Sequence, residues 1–126
     1  MSNITERVKR YHAWIVVNLG ERVDSFNFNE IKSYFDSQIF PGSLVAIDVK
    51  HTRFLSLAAY KYLAELGAQL QNAKGCLAML GASEKLKHQM GLFSSLDKIL
   101  IVKYLEQLPQ VGSADLSPPP DETLGS

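Results

Sequence analysis

Most features that advertise a chemical activity are missing from this sequence, and each absence narrows the choices. There is one cysteine, Cys76. No intramolecular disulfide can therefore form, which suits a reducing compartment. No apolar run approaches the roughly 18 to 20 residues that cross a bilayer. MSNITERVKR has no apolar segment of signal-peptide type, and the nearest, Trp14 to Val17, is four residues long. Charge of one sign is lacking as well: 13 basic and 13 acidic side chains cancel. The strongly basic footprint of a nucleic-acid binder is thus absent. Neither common Gly-rich phosphate loop occurs. His12, His51 and His88 are far apart in sequence, without a metal-ligand partner at i+4 or nearby. The expectation is a soluble cytoplasmic domain with no metal, cofactor, nucleic acid or direct membrane insertion.

Two residue types are absent only from part of the chain. Pro41 is the sole proline before Pro109, and no Lys or Arg follows Lys103. The last stretch instead holds Pro109, Pro118, Pro119 and Pro120 with Asp115, Asp121 and Glu122. With few bulky apolar residues it buries too little surface to offset its ordering entropy. Residues 1–106 therefore read as one domain, and 107–126 as a Pro-rich acidic disordered tail. A chain of 126 residues with 46% apolar content suits one core.

Within that domain, apolar runs alternate with helical patterns. Trp14–Leu19, Leu44–Val49, Cys76–Leu80 and Lys98–Val102 read as strands buried on both faces. Ile4–Lys9 alternates and suits an edge strand paired with the first of them. Asn27 as N-cap with Glu30 at N3 predicts a capping box, and Phe26 with Ile31 a hydrophobic staple. Phe28, Ile31, Phe35 and Ile39 then mark a helix that Pro41-Gly42 ends. Ala59, Leu63, Leu66 and Leu70 mark a second helix from Leu57 to about Gln71, with Lys61, Glu65 and Gln69 on its wet face. Ser83 caps a short third helix whose Leu86 and Met90 face inward. The fold class is α/β, with a mixed, mostly parallel sheet of about four to five strands and three helices. In such sheets binding sites lie beyond the carboxyl ends of the strands. Asp24, Asp48 and the Thr52–Leu57 turn fall there.

The candidates at that edge do not assemble into a known catalytic pattern. Phe54-Leu55-Ser56-Leu57-Ala58 lacks the glycines of a nucleophile elbow. His51 as a base for Ser56, or Asp24 with Asp48 as an acid and base, competes with plainer roles as turn and helix caps. The chain therefore reads as a non-enzyme. Ser56 precedes an apolar-periodic run and suits an N-cap. Leu57, at the sheet's carboxyl edge beside Phe54, Leu55 and Tyr60, suits an apolar patch for a partner. Cys76 opens a strand and reads as a small buried hydrophobe. Glu84, Lys85, Lys87 and His88 form a polar face.

The order of elements and several local sequences resemble the STAS domain family, which includes anti-sigma factor antagonists. The matching stretches are Gly20-Glu21-Arg22-Val23-Asp24 after the first apolar strand and the strand Leu44 to Asp48. They continue with the Gly-led strand Gly75 to Leu80, then Ser83 to Met90 followed by Gly91-Leu92-Phe93. The resemblance spans roughly Ile4 to Leu105. It implies a bacterial, cytoplasmic regulator of transcription that binds an anti-sigma factor of kinase-like type, switched by phosphorylation of the second serine in Asp-Ser-Ser-Gly. Here that motif is degenerate: Ser56, Leu57, Ala58 and Ala59 occupy its four positions. The phosphoacceptor position is Ala58, which has no hydroxyl. Ser56 or Thr52 remains as an alternative acceptor. The expected partner surface is Asp24, Phe54, Ser56, Leu57, Ala58 and Lys61. Two other readings stay open. One is a STAS-like subunit bound to the ATPase of a lipid-transport ABC system, and the other a small-ligand binder using Asp24 and Asp48. A homodimer is compatible with any of them.

Overall fold

Short β-branched and apolar runs build a sheet that positions every candidate residue. The computed structural model describes residues 7–93 and 98–109. Its main sheet contains β1 (Val8–Tyr11), β2 (Trp14–Asn18), β4 (Leu44–Asp48), β6 (Cys76–Leu80) and β7 (Leu100–Val102), in the order β1-β2-β4-β6-β7. β1 is antiparallel to β2; the other pairings are parallel. β2, β4 and β6 run in step, so that Trp14, Leu44 and Cys76 lie across one end and Asn18, Asp48 and Leu80 across the other. A separate two-stranded parallel ribbon joins β3 (Arg22–Val23) to β5 (Phe54–Leu55). The helices are α1 (Phe28–Gln38), α2 (Leu57–Asn72) and α3 (Glu84–Gly91). The mixed, mostly parallel five-stranded sheet with three helices agrees with the fold class expected from the sequence.

Side chains alternate across the sheet, and the two faces are covered differently. Ile15, Val17, Val45, Ile47, Leu77 and Met79 face all three helices and meet Ile31, Phe35, Leu63, Leu70, Leu86 and Met90. Full burial of each such side chain stabilises the fold by about 1.5–3 kcal/mol. On the other face, Trp14, Val16, Leu44, Ala46, Ala78 and Leu80 pack with Val102, Leu108 and Leu105. Leu105 begins a single 3-10 turn, Leu105–Gln107. The Gln107 Oε1 accepts from the Lys103 and Tyr104 amides at 2.6 and 3.1 Å. The Trp14 Nε1–H donates to the Pro109 carbonyl at 2.7 Å. The expected tail lies outside the described residues from position 110 onward.

Three local expectations meet corrections. The edge strand is Val8–Tyr11, later than Ile4–Lys9, because Tyr11 pairs with Trp14 across a two-residue turn at His12 and Ala13. Residues 4–6 lie outside the described set. Asn27 is the N-cap of α1 but caps no amide with its side chain. Its Oδ1 accepts from the Asp24 amide (2.8 Å) while its Nδ2 donates to the Arg22 carbonyl (2.8 Å), tying the helix start to β3. Phe26 is 93% exposed and forms no staple. The helix burial face, Ile31, Phe35 and Ile39, is as the periodicity predicts.

Candidate functional site: an exposed helix start beside a charged groove

The site is assembled by the β3–β5 ribbon, which sets the first turn of α2 at the carboxyl edge of the sheet. Ser56 donates its amide to the Val23 carbonyl (2.9 Å), and Thr52 donates its hydroxyl to the Gly20 carbonyl (2.5 Å). Thr52 is 6% exposed, so this alternative phosphoacceptor is enclosed. Ser56 caps α2 as the sequence predicts: its Oγ accepts from the Ala59 amide at 3.2 Å. No hydrogen bond joins His51 to Ser56 among the described residues, so they do not form a dyad.

With Ser56 as N-cap, Leu57 and Ala58 occupy the first two helical positions, and both are exposed. Leu57 is 66% exposed and the neighbouring Phe54 40%. The Arg22 guanidinium lies 4.8 Å from the Phe54 ring centroid, and its Nε is 3.3 Å from Asp24 Oδ2. Asp24 Oδ1 accepts from the Phe26 amide at 2.9 Å. That amide chiefly, with Arg22 assisting, holds the Asp24 carboxyl below its ordinary pKa. Asp24, Phe54, Ser56, Leu57 and Ala58 thus belong to one continuous edge, with the exposed Lys61 one helical turn further on.

Asp48 stands apart. Its Oδ1 accepts from the Lys50 amide at 3.1 Å. It lines a 470 Å³ cavity together with Arg7, Lys9, Asn18 and Gly20. The structure therefore gives Asp24 and Asp48 separate surroundings, each as the cap of a turn, and does not bring them together as an acid–base pair.

Beside the α2 start runs a groove that the sequence reading only partly foresaw. Arg53, Phe54, Leu57, Tyr60, Lys85 and Gln89 bound its 230 Å³ apolar section. Tyr60 is held flat against Phe93, with ring centroids 5.6 Å apart and planes at 7°. Arg53 and Lys85 also line an adjoining 610 Å³ depression with Glu21, Lys50, His51 and Ser83. Tyr60 belongs to the apolar patch expected from the sequence, whereas Arg53 was not singled out for this surface, since nothing local shows that α3 packs alongside α2. Lys85 was visible only as part of a polar helix face. Cys76 is half-buried at the opposite end of β6, and burial raises its thiol pKa. Among the described residues no group of three or more His, Cys, Asp or Glu is placed to hold a metal ion. No helix among them is long and apolar enough to cross a membrane.

No curated protein matches this chain. Among solved structures it is similar to the murine Solute Carrier 26 family member A9 anion transporter in the inward-facing state. The TM-score is 0.56 at 8% sequence identity, over 78% of this chain and 17% of the transporter. At that identity the likeness concerns the fold alone. The STAS domain family model matches residues 4–108, which include all the strands and helices described above. The chain belongs to the STAS domain family.

Proposed function

We propose that this protein is a non-catalytic regulatory module that docks a partner protein through the start of α2, without a phosphorylation switch at Ala58. The observation that carries this reading is the exposure of Leu57 beside Phe54 at a helix start whose next residue is alanine. Covering such side chains on association returns apolar surface to a dry environment, at about 25 cal/mol per Å². A phosphate there would add about −1.5 to −2 charges and oppose apolar docking. Ala58 removes that possibility at the usual position, so no phosphate charge is added there at any time. Ser56 as a replacement acceptor has less support, because its oxygen serves the helix cap.

Of the partner classes, we favour a kinase-like anti-sigma factor, as the resemblance to anti-sigma factor antagonists implies, in the bacterial cytoplasm. The accessory subunit of a lipid-transport ABC ATPase shares the same surface argument and differs only in the partner. Small-ligand binding by Asp24 and Asp48 is less supported by their separation. A pull-down from the native cells, followed by mass spectrometry, names the partner. Leu57→Asp is expected to abolish its capture while leaving stability within about 0.5 kcal/mol, as for an ordinary surface change. Unchanged affinity in a folded Leu57→Asp protein removes this surface from consideration.

A further inference from the structure

The groove beside α2 has a second property, which concerns what the partner must present. The groove comprises its apolar section and the adjoining depression, which meet at Arg53 and Lys85, lining residues of both. Along it stand three full cations, Lys50, Arg53 and Lys85, with His51, against a single carboxylate, Glu21. That carboxylate does little to neutralise them: it lies 3.9 Å from Arg53 Nε, and both side chains are more than two-thirds exposed, at 71% and 84%. Lys50 Nζ is 3.9 Å from Asp48, and Lys85 has no ion pair among the described residues. Phe54, Leu57 and Tyr60 supply an apolar notch at one end of this basic strip.

We propose that the groove receives an acidic segment of the partner protein that carries a bulky apolar anchor. The anchor enters between Phe54, Leu57 and Tyr60, and carboxylates lie along Arg53, Lys85 and Lys50. The choice of occupant rests on charge complementarity, which sets selection and association rate more than raw affinity. It rests also on the docking reading above and adds the chemistry of the partner to it.

The test pans a random twelve-residue peptide library on the full-length chain and sequences the enriched pool. Peptides rich in Asp and Glu around one Leu, Ile, Phe or Trp are expected. Their affinity should fall at least about tenfold in Arg53→Glu/Lys85→Glu, and with rising salt, as for exposed charges within a Debye length. Lys32→Glu, on α1, should leave binding unchanged, and circular dichroism verifies that each variant is folded. A neutral or basic pool, or acidic peptides indifferent to the double charge reversal, overturns the proposal. So does a native partner lost in Leu57→Asp but retained in Arg53→Glu/Lys85→Glu, an outcome that leaves the docking reading intact. The chain's own acidic end is the competing occupant. If Asp115→Asn/Asp121→Asn/Glu122→Gln strengthens peptide binding, the groove is filled in cis and the assignment to a partner fails.

Discussion

At position 56 a single hydroxyl separates structure from regulation. Ser56, at the position of the motif's aspartate, accepts the Ala59 amide and thereby starts α2, while the motif's two serine positions, Leu57 and Ala58, carry no hydroxyl. Ser56→Ala should lower stability by about 1 kcal/mol, read as a shift in the midpoint of urea unfolding, and should leave partner capture intact. This residue was legible in advance because capping is a local rule, written in a serine before an apolar-periodic run. Leu57 was legible as a candidate for the same reason. Tyr60 was legible beside it as part of the apolar patch, but Arg53 and Lys85 were not, because their grouping with Tyr60 depends on α3 packing against α2. Asn27 shows the opposite failure. The local capping rule fits it, but the β3–α1 turn claims its side chain for Asp24 and Arg22.

The passage from α2 to β6 gives a sharper case at the scale of the element. The helix closes with the Gly75 amide on the Leu70 carbonyl (2.6 Å) and the Lys74 amide on the Gln71 carbonyl (3.0 Å). This is the two-bond Schellman closure, whose left-handed residue is usually glycine. Here Lys74 takes that conformation, at φ 69°, and Gly75 follows it. Gly75 is needed for another reason: a Cβ there would run into the backbone of Gly42 and Ser43 at the approach to β4. Adjacent substitutions should therefore act in opposite directions. Lys74→Gly should stabilise by up to about 1 kcal/mol, by relieving a left-handed side chain. Gly75→Ala should destabilise by about 1–3 kcal/mol through overpacking. Thermal melts of the two variants check both. The sequence marks the break at residues 72–75, yet it does not say which residue carries the left-handed turn. It is likewise silent on the β3–β5 ribbon, because two residues per strand establish no period.

For the whole molecule, the alternation of apolar strands with helical patterns repeats along the chain, which made the fold class legible where the strand order and the docking groove were not. One pH response belongs to the entire core. Burial raises the pKa values of Tyr60 and Cys76, and burial together with the hydrogen bond to Asp36 raises that of Tyr62. In each case the folded state favours the neutral form. The stability these groups contribute is fully present below their unfolded pKa values, about 8.5 for the thiol and about 10 for the phenols. It is lost as pH rises toward and through the higher folded values. Unfolding midpoints should therefore decline from about pH 9 upward, and Tyr60→Phe should flatten that decline. Asp24, Asp36 and Glu84 are shifted down, so their contribution is present above about pH 4 and fades on acidification. Asp36 and Glu84 are solvent-exposed and Asp24 is half-buried, and the acid limb should accordingly be the shallower one.

The hydrogen bond from Trp14 to the Pro109 carbonyl also supplies an optical reporter. The chain's single tryptophan is fully buried on the sheet face away from the helices, where the closing turn and Leu108 shield it. Its emission follows the release of that turn, while far-ultraviolet dichroism follows the helix layer on the opposite side. Superimposable unfolding curves from the two signals would mean that both faces of the sheet melt as one cooperative unit. An earlier fluorescence change would identify the strap across the second face as the first piece of the structure to let go.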